Sequence, residues 1–98
     1  MTTSRQHLVL FKKQDCPPCH RVSKKLESVL AREPQLVHQI SVLRKEYHSA
    51  LLAAYEIDLF PTMLLVDGLG EELDRWVGGT QCFDALHREL KSCKELNK

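Results

Sequence analysis

No stretch of the sequence approaches the ~20 consecutive apolar residues that cross a bilayer, and near the N-terminus only Leu8 to Phe11 follow one another without interruption. That run is too short for a signal-peptide core, so neither a membrane anchor nor export is expected, and the expected address is cytoplasmic. Charge of one sign is missing as well: 14 Lys and Arg stand against 13 Asp and Glu, a formal net charge of +1. Such a balance lacks the field that draws proteins to phosphate backbones or anionic lipid, which argues against nucleic acid and membrane as partners. Internal repeats and low-complexity segments are absent too.

What is present suffices for a folded core. Of 98 residues, 43% are hydrophobic and 28% charged, the composition of one compact domain over residues 1–98, expected to work as a monomer. The four cysteines would not form a disulfide framework in a reducing compartment, so a close pair among them points to catalysis or metal binding.

The apolar run within His7 to Lys12 reads as a strand buried on both faces. After Pro17 and Pro18, the residues Val22, Leu26, Val29 and Leu30 repeat at helical spacing, and Pro34 stops the helix. Leu36 to Leu43 reads as a second strand and Glu46 to Tyr55 as a second helix. Pro61 opens a third strand, Thr62 to Val66; Asp67-Gly68-Leu69-Gly70 supplies a turn, and Glu72 to Val77 returns as the fourth. With Thr80 as N-cap, Phe83, Leu86, Leu90 and Cys93 mark a third helix. The order β-α-β-α-β-β-α predicts an α/β fold: a mixed four-stranded sheet with helices on both faces.

Cys16-Pro17-Pro18-Cys19 falls where the first strand gives way to the first helix. With Cys16 as N-cap, its sulfur faces unpaired N–H groups and the positive end of the helix dipole, both of which favour a thiolate. The two prolines carry no N–H, so the Cys19 amide becomes the natural donor, and Pro17 keeps Cys16 out of the helical region. Cys16 is the candidate nucleophile and Cys19, one turn along, the candidate resolver of a mixed disulfide. Cys16-Pro17-Pro18-Cys19-His20 also fits the attachment pattern of c-type haem, but that chemistry needs an exported chain and an all-helical pocket. Zinc needs about four ligands, and the other two cysteines, Cys82 and Cys93, lie on a distant helix. They are 11 residues apart, about 16 Å along that helix, too far to bond each other. No cofactor and no metal are expected.

Three separated motifs, Cys16-Pro17-Pro18-Cys19, Phe60-Pro61-Thr62 and Val77-Gly78, together resemble the thioredoxin superfamily, with Tyr55 and Ile57 also falling where that family carries similar residues. The resemblance implies a thioredoxin fold and a thiol–disulfide oxidoreductase that reduces protein disulfides through Cys16 and Cys19. It also implies that the Phe60-Pro61 bond is cis and that Phe60, Pro61, Thr62 and Gly78 border a substrate groove. Its reductant would be a flavoprotein thioredoxin reductase or glutathione.

Departures from the family pattern are specific. The chain starts at the strand before the dithiol, without the extra strand and helix of full thioredoxins, and so resembles a minimal, glutaredoxin-like architecture. Leu10 stands where thioredoxins keep a buried aspartate that assists proton transfer to the resolving cysteine. Asp15 replaces their tryptophan and sets a carboxylate beside Cys16, which should raise its pKa. Lys12 and Lys13 are similar to the lysine with which glutaredoxins hold the glutathione carboxylate, and Gly78-Gly79 to their double glycine. Against that, Phe60-Pro61-Thr62 replaces Thr-Val-Pro, and Thr80 and Gln81 replace acidic residues. A glutathione-dependent glutaredoxin is the second reading, and a non-catalytic metal or iron–sulfur domain the third. Lys12, Lys13, His20, Arg21, Lys24 and Lys25 form either a solvated helix face or a surface that steers acidic partners.

Overall fold

A computed structural model describes residues 5–93. Residues 1–4, which bear on the expectation about export, lie outside that range. The strands are β1 (Gln6–Lys12), β2 (Ile40–Arg44), β3 (Thr62–Asp67) and β4 (Glu72–Val77); the helices are α1 (Pro17–Arg32), α2 (Ser49–Ala54) and α3 (Gly79–Ser92). They form one mixed sheet in the order β2-β1-β3-β4, with β1 parallel to β2 and antiparallel to β3, and β3 antiparallel to β4. This is the expected β-α-β-α-β-β-α topology.

The two-residue period of the central strands sorts their side chains between two cores. Leu8 and Leu10 of β1 and Met63 of β3 pack with Val22, Leu26 and Val29 of α1 and with Cys82, Leu86 and Leu90 of α3. Phe11, Leu64 and Val66 point to the other face and pack with Leu52 and Ile57 around α2. Helices therefore cover both faces, as strands apolar on both sides require.

The register decides where chemistry can occur. Pairing Phe11 with Thr62 and Thr62 with Val77 brings three chain segments to one end of the sheet: the exit of β1, the entry of β3 and the exit of β4. The β3–β4 turn lies at the opposite end. There Asp67 Oδ1 accepts the N–H groups of Leu69 and Glu71 at 2.9 Å, and Tyr55 donates its hydroxyl to the Gly70 carbonyl.

Three element boundaries depart from the sequence reading. Pro34–Gln39 is a 3₁₀ helix rather than the start of the second strand, which begins at Ile40. Pro34 at the first helical position starts the turn, and Leu36 and Gln39, three residues apart, share its buried side. The predicted helix Glu46–Tyr55 is split: Lys45–Tyr47 is a short 3₁₀ turn, His48 leaves the helical region, and α2 begins at Ser49. Tyr47 is consequently 72% exposed, its ring under the Arg44 guanidinium. The N-cap of α3 is Gly78, not Thr80, which lies inside the first turn. Cys93, expected on the third helix, is its C-cap.

Candidate active site

The strand-to-helix junction has the predicted form. Cys16 is the N-cap of α1 in extended conformation (φ −131°, ψ 95°), and Pro17 and Pro18 occupy the first two helical positions. The Cys19 N–H donates to Cys16 Sγ at 3.2 Å, and the His20 N–H donates to the Cys16 carbonyl at 3.0 Å to begin the helix. Cys16 and Cys19 are joined as a disulfide with their Cα atoms 5.2 Å apart. Cys16 lies at the surface boundary with 9% exposure while Cys19 is at 3%, so attack from solution meets Cys16 first. Both line a cleft of about 810 Å³ together with Lys12, Lys13, Asp15 and Arg44.

Asp15 precedes the dithiol with φ +53°, a left-handed conformation that asparagine tolerates better than most residues. Asp15→Asn therefore removes the charge without disturbing the turn. Reduced Asp15→Asn is expected to alkylate at Cys16 about two- to threefold faster at pH 7, because one nearby negative charge no longer opposes the thiolate. An unchanged pH profile of iodoacetamide labelling would show that the carboxylate points away.

Opposite the dithiol, the Phe60-Pro61 bond is cis, as expected from the resemblance. The Phe60 carbonyl oxygen lies 3.8 Å from Cys16 Sγ. The Pro61 carbonyl accepts the Gly78 N–H at 2.8 Å, which ties the loop before β3 to the end of β4. Of the four residues proposed to border a substrate, Phe60 and Gly78 are partly exposed, whereas the rings and side chains of Pro61 and Thr62 are buried. Thr62 is 1% exposed and donates its hydroxyl to the Leu59 carbonyl at 2.7 Å, so its side chain braces the loop from inside.

Gly78 and Gly79 have separate reasons to be glycine. Gly78 holds φ +94°, where an L side chain is strained. Gly79 packs on the dithiol helix so closely that a Cβ would stand 2.7 Å from Pro18 Cβ. Gly78→Ala should cost about 1–2 kcal/mol and lower kcat/KM for a protein disulfide, since relief of the strain moves the amide that holds Pro61. Chemical denaturation and steady-state kinetics on the same sample check both effects; wild-type stability in Gly78→Ala would contradict the strain argument.

The remaining thiols are built differently. Cys82 is fully buried, within sulfur hydrogen-bond distance of the Pro61 and Trp76 carbonyls, and burial pushes its pKa up to about 11. Cys93 is pushed up to about 11 by burial and by Glu89. Both are free thiols. As each ionises only when the pH approaches those values, labelling of the reduced protein at pH 7–8 is expected at Cys16 alone on a short timescale, Cys82 and Cys93 joining above about pH 10. Peptide mapping of the labelled protein reads this directly.

Some features of the site escaped the sequence. Lys13 and Lys45, which follow the paired parallel strands β1 and β2 at one end of the sheet, bring their ammonium groups to 6.0 and 5.7 Å from the Phe60 ring centre. Arg75 Nη2 donates to the Tyr55 carbonyl at 2.6 Å while its guanidinium pairs with Glu72, fastening β4 to the end of α2. His7 bonds Ser41, and His87 pairs with Glu33 at 2.8 Å. Among the described residues, no three His, Cys, Asp or Glu side chains gather as metal ligands, and no helix is long and apolar enough to cross a membrane.

The fold is shared with solved thioredoxins. The Fasciola hepatica thioredoxin superposes with a TM-score of 0.73 at 23% identity, covering 94% of this chain and 84% of that one. A poplar thioredoxin h gives 0.70 at 22% identity (91% and 76% covered), and the Malassezia sympodialis thioredoxin 0.71 at 15% (93% and 79%). No curated protein sequence matches the chain. At these identities the solved structures speak to the fold; the family is established by sequence. A family model described as a thioredoxin-like domain matches residues 1–94, and the chain accordingly belongs to that family of thiol–disulfide oxidoreductases.

Proposed function

We propose that the chain reduces disulfides in protein substrates by a two-step exchange at Cys16 and Cys19. The observation that carries this reading is the Cys19 N–H aimed at Cys16 Sγ from the first turn of α1. It supplies a hydrogen bond to the sulfur that must bear negative charge as nucleophile and again as leaving group. In the first step the Cys16 thiolate attacks one sulfur of the substrate disulfide, forming a mixed disulfide and releasing one substrate thiolate. In the second, Cys19 loses its proton and attacks Cys16 Sγ, which closes the Cys16–Cys19 disulfide and releases the second substrate thiolate. Two electrons have then passed to the substrate, and an external reductant must return them.

A flavoprotein thioredoxin reductase is the reductant we favour, with cytoplasmic residence the setting in which it would act. Glutathione is the second reading, and the specific observation in its favour is the cleft beside Cys16, whose Lys12, Lys13 and Arg44 suit the carboxylates of a small anionic thiol. Insulin reduction coupled to each reductant in turn tests the proposal. Turnover with reductase and NADPH supports the first reading; turnover with glutathione alone supports the second; inertness with both defeats the dithiol mechanism.

A further inference from the structure

The near-neutral total charge conceals a segregation. The dithiol cleft and a second cleft of about 490 Å³ between α1 and α3 share His20 as a common wall. The two are lined by Lys12, Lys13, Arg21, Lys24, Lys25 and Arg32, whereas Asp15 and Glu27 are the acidic residues lining them. Among the described residues, no carboxylate pairs with Arg21, Lys24, Lys25 or Arg32. Lys25 is instead held inward: its Nζ donates to the Phe83 carbonyl at 2.5 Å and sits 4.3 Å from the centre of the Phe83 ring. Arg21 lies over the same ring at 5.7 Å. Phe83 thus gives the second cleft an apolar floor with cations fixed around it, and Arg21 and Lys24 stand exposed on one helix face.

Building on the oxidoreductase reading above, we infer that this second cleft docks an acidic stretch of the substrate polypeptide, next to the cysteine under attack. Helix geometry sets the spacing. Arg21 and Lys24 lie five and eight residues past Cys16, about 7.5 and 12 Å along α1. An extended peptide advances about 3.3 Å per residue, so those cations stand level with the second and fourth residues from the reactive cysteine. Alternate residues of an extended chain share a face, and acidic side chains at both positions can point at α1 together. The favoured substrate therefore carries the pattern Cys-x-Glu-x-Glu or its reverse. Attraction of this kind acts chiefly on the encounter rate and is screened by salt.

The test uses the reduced 98-residue chain with symmetric disulfides of short peptides having Glu, Gln or Lys at the second and fourth positions, on either side of the cysteine. Peptide thiol release is followed by acid quench and chromatography, and each rate is divided by that of dithiothreitol with the same peptide to remove intrinsic reactivity. At low salt the Glu peptide, in at least one orientation, should react about tenfold faster than the Gln peptide, and the Lys peptide slower still. The Glu-to-Gln ratio should fall towards one at about 0.5 M salt. Lys24→Glu should collapse the ratio at low salt and Lys24→Gln lower it by a smaller step, while Lys91→Glu, the same charge change far along α3, keeps it. Equal normalised rates at low salt, or a ratio indifferent to Lys24→Glu, overturn the docking inference alone. Failure to reduce any of the peptides overturns the oxidoreductase reading and the inference with it.

Discussion

Cys16→Ser is expected to lose protein-disulfide reduction by at least about a thousandfold, because a serine hydroxyl at that position cannot supply the thiolate that every later event requires. Cys19→Ser fails at a different stage. Its Cys16 still attacks, and the backbone N–H at position 19 still points at Cys16 Sγ, but no sulfur remains to break the mixed disulfide. Turnover should be lost while substrate accumulates covalently on Cys16, visible as a larger species on non-reducing gels that dithiothreitol dissolves. Full turnover by Cys19→Ser with thioredoxin reductase, or no trapped species, would sink the two-thiol scheme. Free Cys82 is not expected to stand in as resolver, since burial holds its pKa at about 11.

Phe11→Ala should produce the largest loss of stability. The side chain is fully buried, packs with Leu52, Ile57, Leu64 and Val66, and lies 6.4 Å, centre to centre, from the Tyr55 ring. Truncation forfeits the transfer energy of the ring and leaves a cavity between the sheet and α2, together about 3–5 kcal/mol. At about 4–8 °C per kcal/mol for a domain of this size, Tm should fall by roughly 15 °C or more. Phe60 packs against the same cluster, so activity should decline before the global transition as its loop loosens. Leu59→Ala, at a position 61% exposed, serves as the contrast and should stay within about 0.5 kcal/mol of wild type. Calorimetry on the three proteins settles the comparison.

How far the sequence could be read follows from where each structure gets its determinants. The Cys16 cap was legible because everything that builds it is local: two prolines without N–H groups, a strand before and an amphipathic helix after. β1 and β3 were legible for a similar reason, as apolar runs bounded by charged or turn residues, and β4 from the Asp67 to Gly70 turn before it and the two glycines after it. Pro34–Gln39 was not, because Leu36, Val37 and Ile40 supply the letters of a strand while Val37, 48% exposed, contributes nothing to a core. Thr80 offered the better capping side chain, yet Gly78 is the cap. What decides is the approach of Gly79 to Pro18, a contact across 61 residues that no local pattern announces. The same holds for Lys13 and Lys45 around Phe60, and for Lys25 on Phe83: only the folded chain makes them neighbours.

The hairpin turn at Asp67 to Gly70 has a practical side. β3 spans six residues, so the turn stands about 20 Å from the end of the sheet that holds the cysteines. Its geometry is fixed by the Asp67 carboxylate and the Tyr55 hydroxyl, neither of which needs the Leu69 side chain, which is 86% exposed. Leu69 is therefore the natural handle: a chemical tether placed there would immobilise the protein on a bead or electrode with its dithiol mouth turned to the solution.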